Sequence, residues 1–548
     1  VTSSSIRRRP RRGRSHISVR VAHAVVGGLV GVVWLVGATL GEGGPVAGGA
    51  ERPVAGAAAQ GDEGGSWVVD FVMPGVAVVA AGVLAGYGFV RRRRRARGRT
   101  TPGGAPVQAA EPPVGELDER ARAALVAADD GVRVSGEELG FVAGRFGVGD
   151  AEHVEPFAGV LRDAQAELAV AFRMRWQYEG GVPQEAAARR HALAGIVGRC
   201  EEAGRLLDAR AAAFDQVRGL EEGLGGGLGH GLAVAEGRFR ELTGRAAVAA
   251  AVLRACGERY GPAATAGVAG HVEQAKDRLV FATGSLNHAR QCADSGDNGG
   301  AATQLRAAEG AIAQATAFVD GVERLAGDLA TAAGMVPAAL TGGEAEIAGA
   351  REGVAASAVA GSEPYDDVPP GELRARVVHA DLVLAGVREE LTSGRPYDPL
   401  DVLRRIVRGV APVAAGRAWV VAAAALVCAR GAVADADDVV ATHRAAVGCE
   451  ARTRLAEARR LLAPPVPGPT GRGPRAELAD LVTADALAQQ ARELAEQDIR
   501  GYGHPAERPA ADIDGLAGAL VGGILLDGSA VAFGGPHSRM RRGGPAGS

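Results

Sequence analysis

Between Leu232 and Tyr260 the apolar residues fall at Leu232, Ala235, Phe239, Leu242, Ala246, Ala249, Leu253, Cys256 and Tyr260. The steps alternate between three and four, which keeps every member on one face of an α-helix and predicts a heptad seam. Gly261-Pro262 stops the pattern. A second seam runs from Val268 through Leu279 and Leu286 to Ala293, and a third from Leu305 through Ile312 and Val319 to Leu329. The turn Asp294–Gly300 separates them. Short connections between seams of similar length predict an antiparallel three-helix unit over 230–333. Many seam positions are Ala, so the helices approach closely but bury little area per residue.

The same period predicts helices over 116–147, 152–179 and 184–219, the last with Leu193, Ile196, Cys200, Ala203, Leu207, Ala211 and Phe214. Its step from Leu207 to Ala211 breaks the heptad, so local unwinding is expected there. Asp398-Pro399 supplies an N-cap and a first helical residue for a helix through Leu400, Leu403 and Ile406. The apolar stretch Ala418 to Ala429 has only 12 residues between Arg417 and Arg430. It is too short for a bilayer and is expected to pack inside the bundle through Trp419 and Leu426. Residues 464–474 read as a Pro/Gly loop and 476–500 as a last helix.

Two apolar runs of 20 residues precede all of this, Val21 to Leu40 and Phe71 to Val90. Twenty helical residues rise about 30 Å, the depth of the hydrocarbon core. Seven Arg precede the first run, and Arg91 to Arg95, Arg97 and Arg99 follow the second. Positive flanks belong on the cytoplasmic side, so residues 42–66 are expected outside and everything after Arg91 inside. The first run reads equally as a signal peptide. The Arg91–Arg99 cluster beside a span is expected to meet anionic lipid head groups rather than nucleic acid.

Charge sharpens this division. Residues 1–99 carry a formal +10 and residues 100–548 a formal −13. Aromatics make up 4%, and Gly and Ala abound, which argues against an all-β fold. Lys276 is the one Lys and follows Ala275, so the Gly-Lys-Ser/Thr step of a P-loop is missing. It reads as a solvated helix position. The five Cys lie on the expected cytoplasmic side, none in a Cys-x-x-Cys pair, and read as reduced thiols. Gly223–Gly229 lacks the spacing of a dinucleotide loop and reads as an interhelical turn. In the Asp294–Gly300 turn, Gly296 and Leu305 stand at two ligand positions of a calcium loop, so a plain turn is expected. His191, His271 and His288 read as helix-face residues. No residue is nominated as catalytic, cofactor-binding or metal-binding, and no cofactor is expected.

Several stretches carry a resemblance. They are ELDERARAALVAADDGVRVSGEELGFVAGRFG (116–147), SGDNGGAATQLRAAEGAIAQA (295–315), GELRARVVHADLVLAGVREELTSGRPYDPLDVLRRI (371–406), EARTRLAEARRLL (450–462), ADALAQQARELAEQDIRGYG (484–503) and GGILL (522–526). In this order they resemble the cytoplasmic helical portion of the TPM-domain-containing membrane proteins of high-GC bacteria. The resemblance implies a signal peptide, an extracytoplasmic α/β TPM domain, one transmembrane helix, and then these helices with a Gly-rich tail. TPM domains elsewhere are linked to phosphatase activity and metal binding. Only 30 residues, 41–70, separate the two apolar runs here, where a TPM domain needs well over a hundred, so no TPM site residue is transferred. The apolar stretch 418–429 and the loop 464–474 also depart from the pattern.

The expected molecule is all-α. Its map is a basic N-terminus (1–20), a transmembrane helix or signal peptide (21–40), a short outer segment (41–66), a transmembrane helix (67–90) and a basic Pro/Gly linker (91–115). A coiled-coil-like helical region (116–335), a linker with a short helix (336–371), a second helical region (372–502) and a Gly-rich disordered tail (503–548) follow. The expected function is a non-catalytic, membrane-anchored scaffold in the plasma membrane, with most of the chain cytoplasmic. It would bind protein partners or itself through its helices. A signalling receptor and a degenerate TPM-type phosphatase are the alternatives.

Overall fold

Pro and Gly punctuate the chain where the periodic pattern stops, and the helices begin and end there. The computed structural model describes residues 112–146, 152–360, 368–463, 474–502, 516–524 and 532–542. The two apolar runs and both Arg clusters lie outside these residues. Among the described residues every regular element is helical. We number them α1 (Val114–Phe146), α2 (Glu155–Glu179), α3 (Ala186–Arg218), α4 (Gly227–Tyr260), α5 (Pro262–Thr265), α6 (His271–Asp294) and α7 (Asn298–Ala360). Then come α8 (Pro370–Thr392), α9 (Pro399–Val410), α10 (Trp419–Thr442), α11 (Cys449–Leu462), α12 (Pro474–Gly501), α13 (Leu516–Val521) and α14 (Pro536–Arg542).

Helices α1, α2 and α3 close over a core that includes Leu125, Leu161, Leu193, Ile196 and Phe214. The three seams of α4, α6 and α7 meet in a second core around Leu242, Ala249, Leu279, Leu286 and Ile312. The contacts give their directions. On α6 and α7, Arg278 donates to Gln314 at 2.8 Å and His271 lies beside Gly321, so the two run antiparallel. Arg290 of α6 pairs with Glu236, near the start of α4, so that pair is antiparallel too. A third core joins the later part of α7 to α8, α9 and the start of α10, and a fourth joins the rest of α10 to α11 and α12. Asp398 caps α9, its carboxylate accepting from the amides of Leu400 (2.9 Å) and Asp401 (3.2 Å).

Four expectations change. Residues 336–360, read as part of a linker, continue α7 as one helix of 63 residues. The seam persists there through Leu329, Ala332, Val336 and Ala339 to Ile347 and Ala350, all buried. Pro337 sits on the exposed side, so its ring intrudes on neither core. Secondly, α3 shows no break at Leu207–Ala211; both residues stay buried on one face. Thirdly, Trp419 is 79% exposed; Val421, Ala424 and Cys428 carry the packing of α10 instead. Buried Glu346 of α7 holds the entry to α10, accepting from the amide of Ala415 at 2.8 Å and from that of Ala418.

The fourth change is the largest. Residues 516–524 and 532–542 of the supposed disordered tail are packed into the body. Ile524 joins the second core, and Phe533, fully buried, joins the first. The Phe533 ring stacks on Phe214 with centroids 4.3 Å apart and meets Phe157 edge-on at 5.9 Å. Burial of the ring, together with the hydrogen bonds that Glu138, Ser135 and Asp208 accept from the segment, offsets the chain entropy lost in ordering it.

By length and composition α10 is long and apolar enough to cross a membrane. Its buried face and the ion pairs of its Asp435, Asp437 and Asp438 show it as a core helix here.

Candidate functional site

The charged turn Asp129-Asp130-Gly131-Val132-Arg133 of α1 has the composition of a solvated helix face, yet it turns inward. Arg452 of α11, with a side chain only 1% exposed, is the centre of what it meets. Its guanidinium donates to Asp129 at 2.7 Å and Asp130 at 2.6 Å, and to the carbonyls of Val447 (3.1 Å) and Arg444 (2.7 Å). Arg133 bridges Asp129 (3.0 Å) and Asp437 of α10 (2.7 Å), and Arg459 also pairs with Asp437. Burial alone would raise the Asp129 carboxyl, but Arg133 and Arg452 outweigh it and hold it below the usual carboxylate range. The fork of the guanidinium is what lets Arg452 satisfy two acids and two carbonyls, and Arg133 two acids.

Beside this network α1, α2, α10 and α11 enclose a cavity of about 620 Å³, within the roughly 300–1,000 Å³ range of small-molecule sites. Val132, Leu168, Phe172 and Leu455 give it an apolar floor. Five guanidiniums line it, those of Arg133, Arg173, Arg452, Arg459 and Arg460, against the carboxylates of Asp129, Asp437 and Glu457. Glu457 pairs with Arg460 at 2.6 Å. With Asp130 behind Arg452 and Asp480 acting on Arg460, each of these guanidiniums except Arg173 has a carboxylate partner. Arg173, exposed at the rim, is the cation left over. The arrangement suits binding of an anion; no Ser, Cys or His nucleophile lines it.

A second buried network holds the C-terminal segment. Glu138 of α1 takes Arg306 at 3.0 Å and Arg218 at 3.2 Å, and accepts from the amide of Phe533. Arg218 also pairs with Glu309. Ser135 accepts from the Gly534 amide at 3.2 Å, and Asp208 accepts from the hydroxyl of Ser538 at 2.6 Å. On α13's far side the Gly522 carbonyl accepts from Gln314 (2.7 Å) and Arg444 (2.9 Å).

The residues weighed from sequence are dispersed. His191 and His288 are exposed. His271 instead packs its ring against Phe318 at 5.2 Å, with His443 on the same ring at 6.1 Å. Burial, with nearby guanidiniums, pushes both imidazoles down to about 4. Lys276 is exposed and pairs with Glu273. Cys200, Cys428 and Cys449 are buried and Cys256 and Cys292 half-buried, all as free thiols. Gly223–Gly229 forms the turn into α4, and a Cβ on Gly227 would stand 2.1 Å from the Arg218 carbonyl. Asp297 caps α7, accepting from the Gly300 amide at 2.8 Å. Among the described residues no cluster of His, Cys, Asp and Glu could hold a metal.

Comparison with known proteins finds two curated relatives. The chain is 28% identical over 422 residues to UPF0603 protein MT2410 of Mycobacterium tuberculosis (strain CDC 1551 / Oshkosh), covering 76% of this chain. It is equally similar to UPF0603 protein Rv2345 of Mycobacterium tuberculosis (strain ATCC 25618 / H37Rv). The chain spans 62% of the length of these relatives. No family model and no solved structure matches. A match of 422 residues is too long to lie within residues 1–113 and so takes in most of the chain from Val114 onward, where the described helices begin. Sequence reading missed the arginine–carboxylate network because its partners stand 304 to 323 positions apart. The signal available was local: five charged residues in ten on α1, on the face that also carries Leu125 and Val132.

Proposed function

We propose that this chain is a non-catalytic helical scaffold, anchored in the cell membrane by the apolar run Phe71 to Val90, with its helical body on the cytoplasmic side. The observation that carries the reading is α7. Its 63 residues make a rod of about 95 Å. Its first part is built into the core of α4 and α6, its later part into that of α8, α9 and α10. A helix shared by two cores keeps them at a fixed spacing, the property a scaffold needs. On α8, Val378 and Leu382 are 57% and 68% exposed and four residues apart, an outward apolar pair suited to a protein partner or a second copy. The Arg91–Arg99 cluster would lie at the anionic lipid surface. Within the same proposal the helices are those of the TPM-domain-containing family of high-GC bacteria, and the mycobacterial source of the relatives is compatible with it. Affinity capture of the full chain from mild detergent tests the scaffold reading. A stoichiometric partner or self-association is expected, and Leu382→Glu should weaken it. A chain that stays monomeric and partnerless, or that hydrolyses phosphate esters when pure, would overturn it. The cavity beside Arg452 favours a second reading, a ligand-responsive membrane receptor.

A further inference from the structure

We infer that the cavity between α1, α2, α10 and α11 is a binding site for an amphipathic monoanion, an apolar body carrying one carboxylate or phosphate-ester head. The inference goes beyond the scaffold reading and stands apart from it. Three observations converge. The volume, about 620 Å³, is that of a small-molecule site. The floor is apolar, with Val132, Leu168, Phe172 and Leu455 presenting hydrocarbon. The charge at the rim is unequal. Asp129, Asp130, Asp437 and Glu457 are matched by Arg133, Arg452, Arg459 and Arg460, and Arg173 of α2 adds one guanidinium with no ion pair among the described residues. Asp480 also acts on Arg460, so among the described residues Arg173 is the lining guanidinium left without a carboxylate partner, and it has room for one negative charge: a dianion would compete with Asp437 and Glu457 for the other guanidiniums. Phe172 and Arg173 are neighbours on α2, and Leu168 lies one turn before Phe172, so one helix supplies floor and cation. The head would sit at Arg173 with its body along Leu168 and Phe172, where burial of each methylene adds to affinity.

Calorimetry on the full chain in nanodiscs, with empty nanodiscs as the blank, tests this using decanoate, decyl methyl phosphate, decanol and acetate. The two decyl anions should bind at least tenfold more tightly than decanol or acetate. Preference for decanoate would point to a free carboxylic acid as the source, preference for the phosphodiester to a lipid head group, and either supports the inference. Arg173→Gln removes a side chain that no ion pair holds, so the melting temperature should stay unchanged while both anions lose roughly tenfold in affinity. Ala169→Trp, at an exposed position of the lining, should fill the cavity and abolish binding. Anion affinity within twofold of the native value in either variant would overturn the inference, as would equal binding of decanol and decanoate.

Discussion

At the scale of single residues, two glycines separate packing from propensity. A Cβ on Gly535 would stand 2.0 Å from the carbonyl oxygen of Gly204 and 2.6 Å from its carbon, both backbone atoms that cannot rotate away. Gly535→Ala should therefore lift the segment around Phe533 off α3. We expect a loss of about 2–4 kcal/mol, the range for emptying a core site of a large side chain, and new protease cleavage near residue 533. Gly244 of α4 is exposed, with nothing within 4 Å of its added Cβ. Gly244→Ala should raise stability by up to about 1 kcal/mol, because Ala loses less chain entropy in a helix. Denaturant melts of the full chain in detergent read both; a neutral Gly535→Ala would show that the two backbones are not in contact.

At the scale of elements, the seams are the firmest feature. Ala249 is fully buried between α4 and its neighbours, and Ala247 on the same helix is exposed. Ala249→Asp should cost at least about 3 kcal/mol, since it places an unpartnered carboxylate in the second core; Ala247→Asp should stay within about 0.5 kcal/mol of the native chain. Equal melting curves for the two would mean that the seam faces water. Helix positions were legible in the sequence because a seam is a local, periodic signal: the α4, α6 and α7 seams and the Asp398 cap appear where the pattern puts them. Three features were not legible. Residues 336–360 look like linker because Gly and Ala there carry little hydropathy, although their small size is what lets α7 pack. Trp419 looks like a core residue by type, but burial on α10 follows the face of Val421 and Cys428. The C-terminal segment looks disordered by composition; the hole between Phe157 and Phe214 and the buried acceptors Glu138, Ser135 and Asp208 are what order it, and all lie hundreds of positions away. The candidate cavity was invisible for a related reason, since its charges come together from α1, α2, α10 and α11.

For the whole molecule, buried imidazoles set the response to acid. His271 and His443 titrate near 4 in the folded chain and near 6.5 when unfolded. Between these values the unfolded chain binds more protons, so stability falls as pH drops from about 6.5 to 4, by up to about 3 kcal/mol per imidazole. Asp438 opposes this. Burial, against the pull of Arg324, raises its carboxyl to about 6, so the folded chain gains stability on protonation as pH falls from about 6 to 4. Burial raises the carboxyls of Glu309 and Asp328 as well, and they oppose the imidazoles in the same sense; His443→Gln removes one of the two imidazoles, so the variant should lose less melting temperature between pH 7 and 4.5 than the native chain. A steeper curve in that variant would refute the assignment. Topology has its own reporter. Cys292 is half-buried whereas Cys449 is buried, so Cys292 is the thiol to follow. It should react with an impermeant maleimide only after lysis; labelling in intact cells would place the helical body outside.

The bond from the Phe533 amide to Glu138 spans 395 positions. At a synthesis rate of about 5–20 residues per second, the finished α1, α2 and α3 wait roughly 15–60 s for the ring that completes their core. Throughout that interval, and permanently in a chain shortened before residue 533, an apolar hollow beside Phe157 and Phe214 stays open to water. Losing the ring would uncover the hydrocarbon of Phe157 and Phe214 while leaving α1, α2 and α3 themselves intact, so the last-made segment closes the core of the first-made helices.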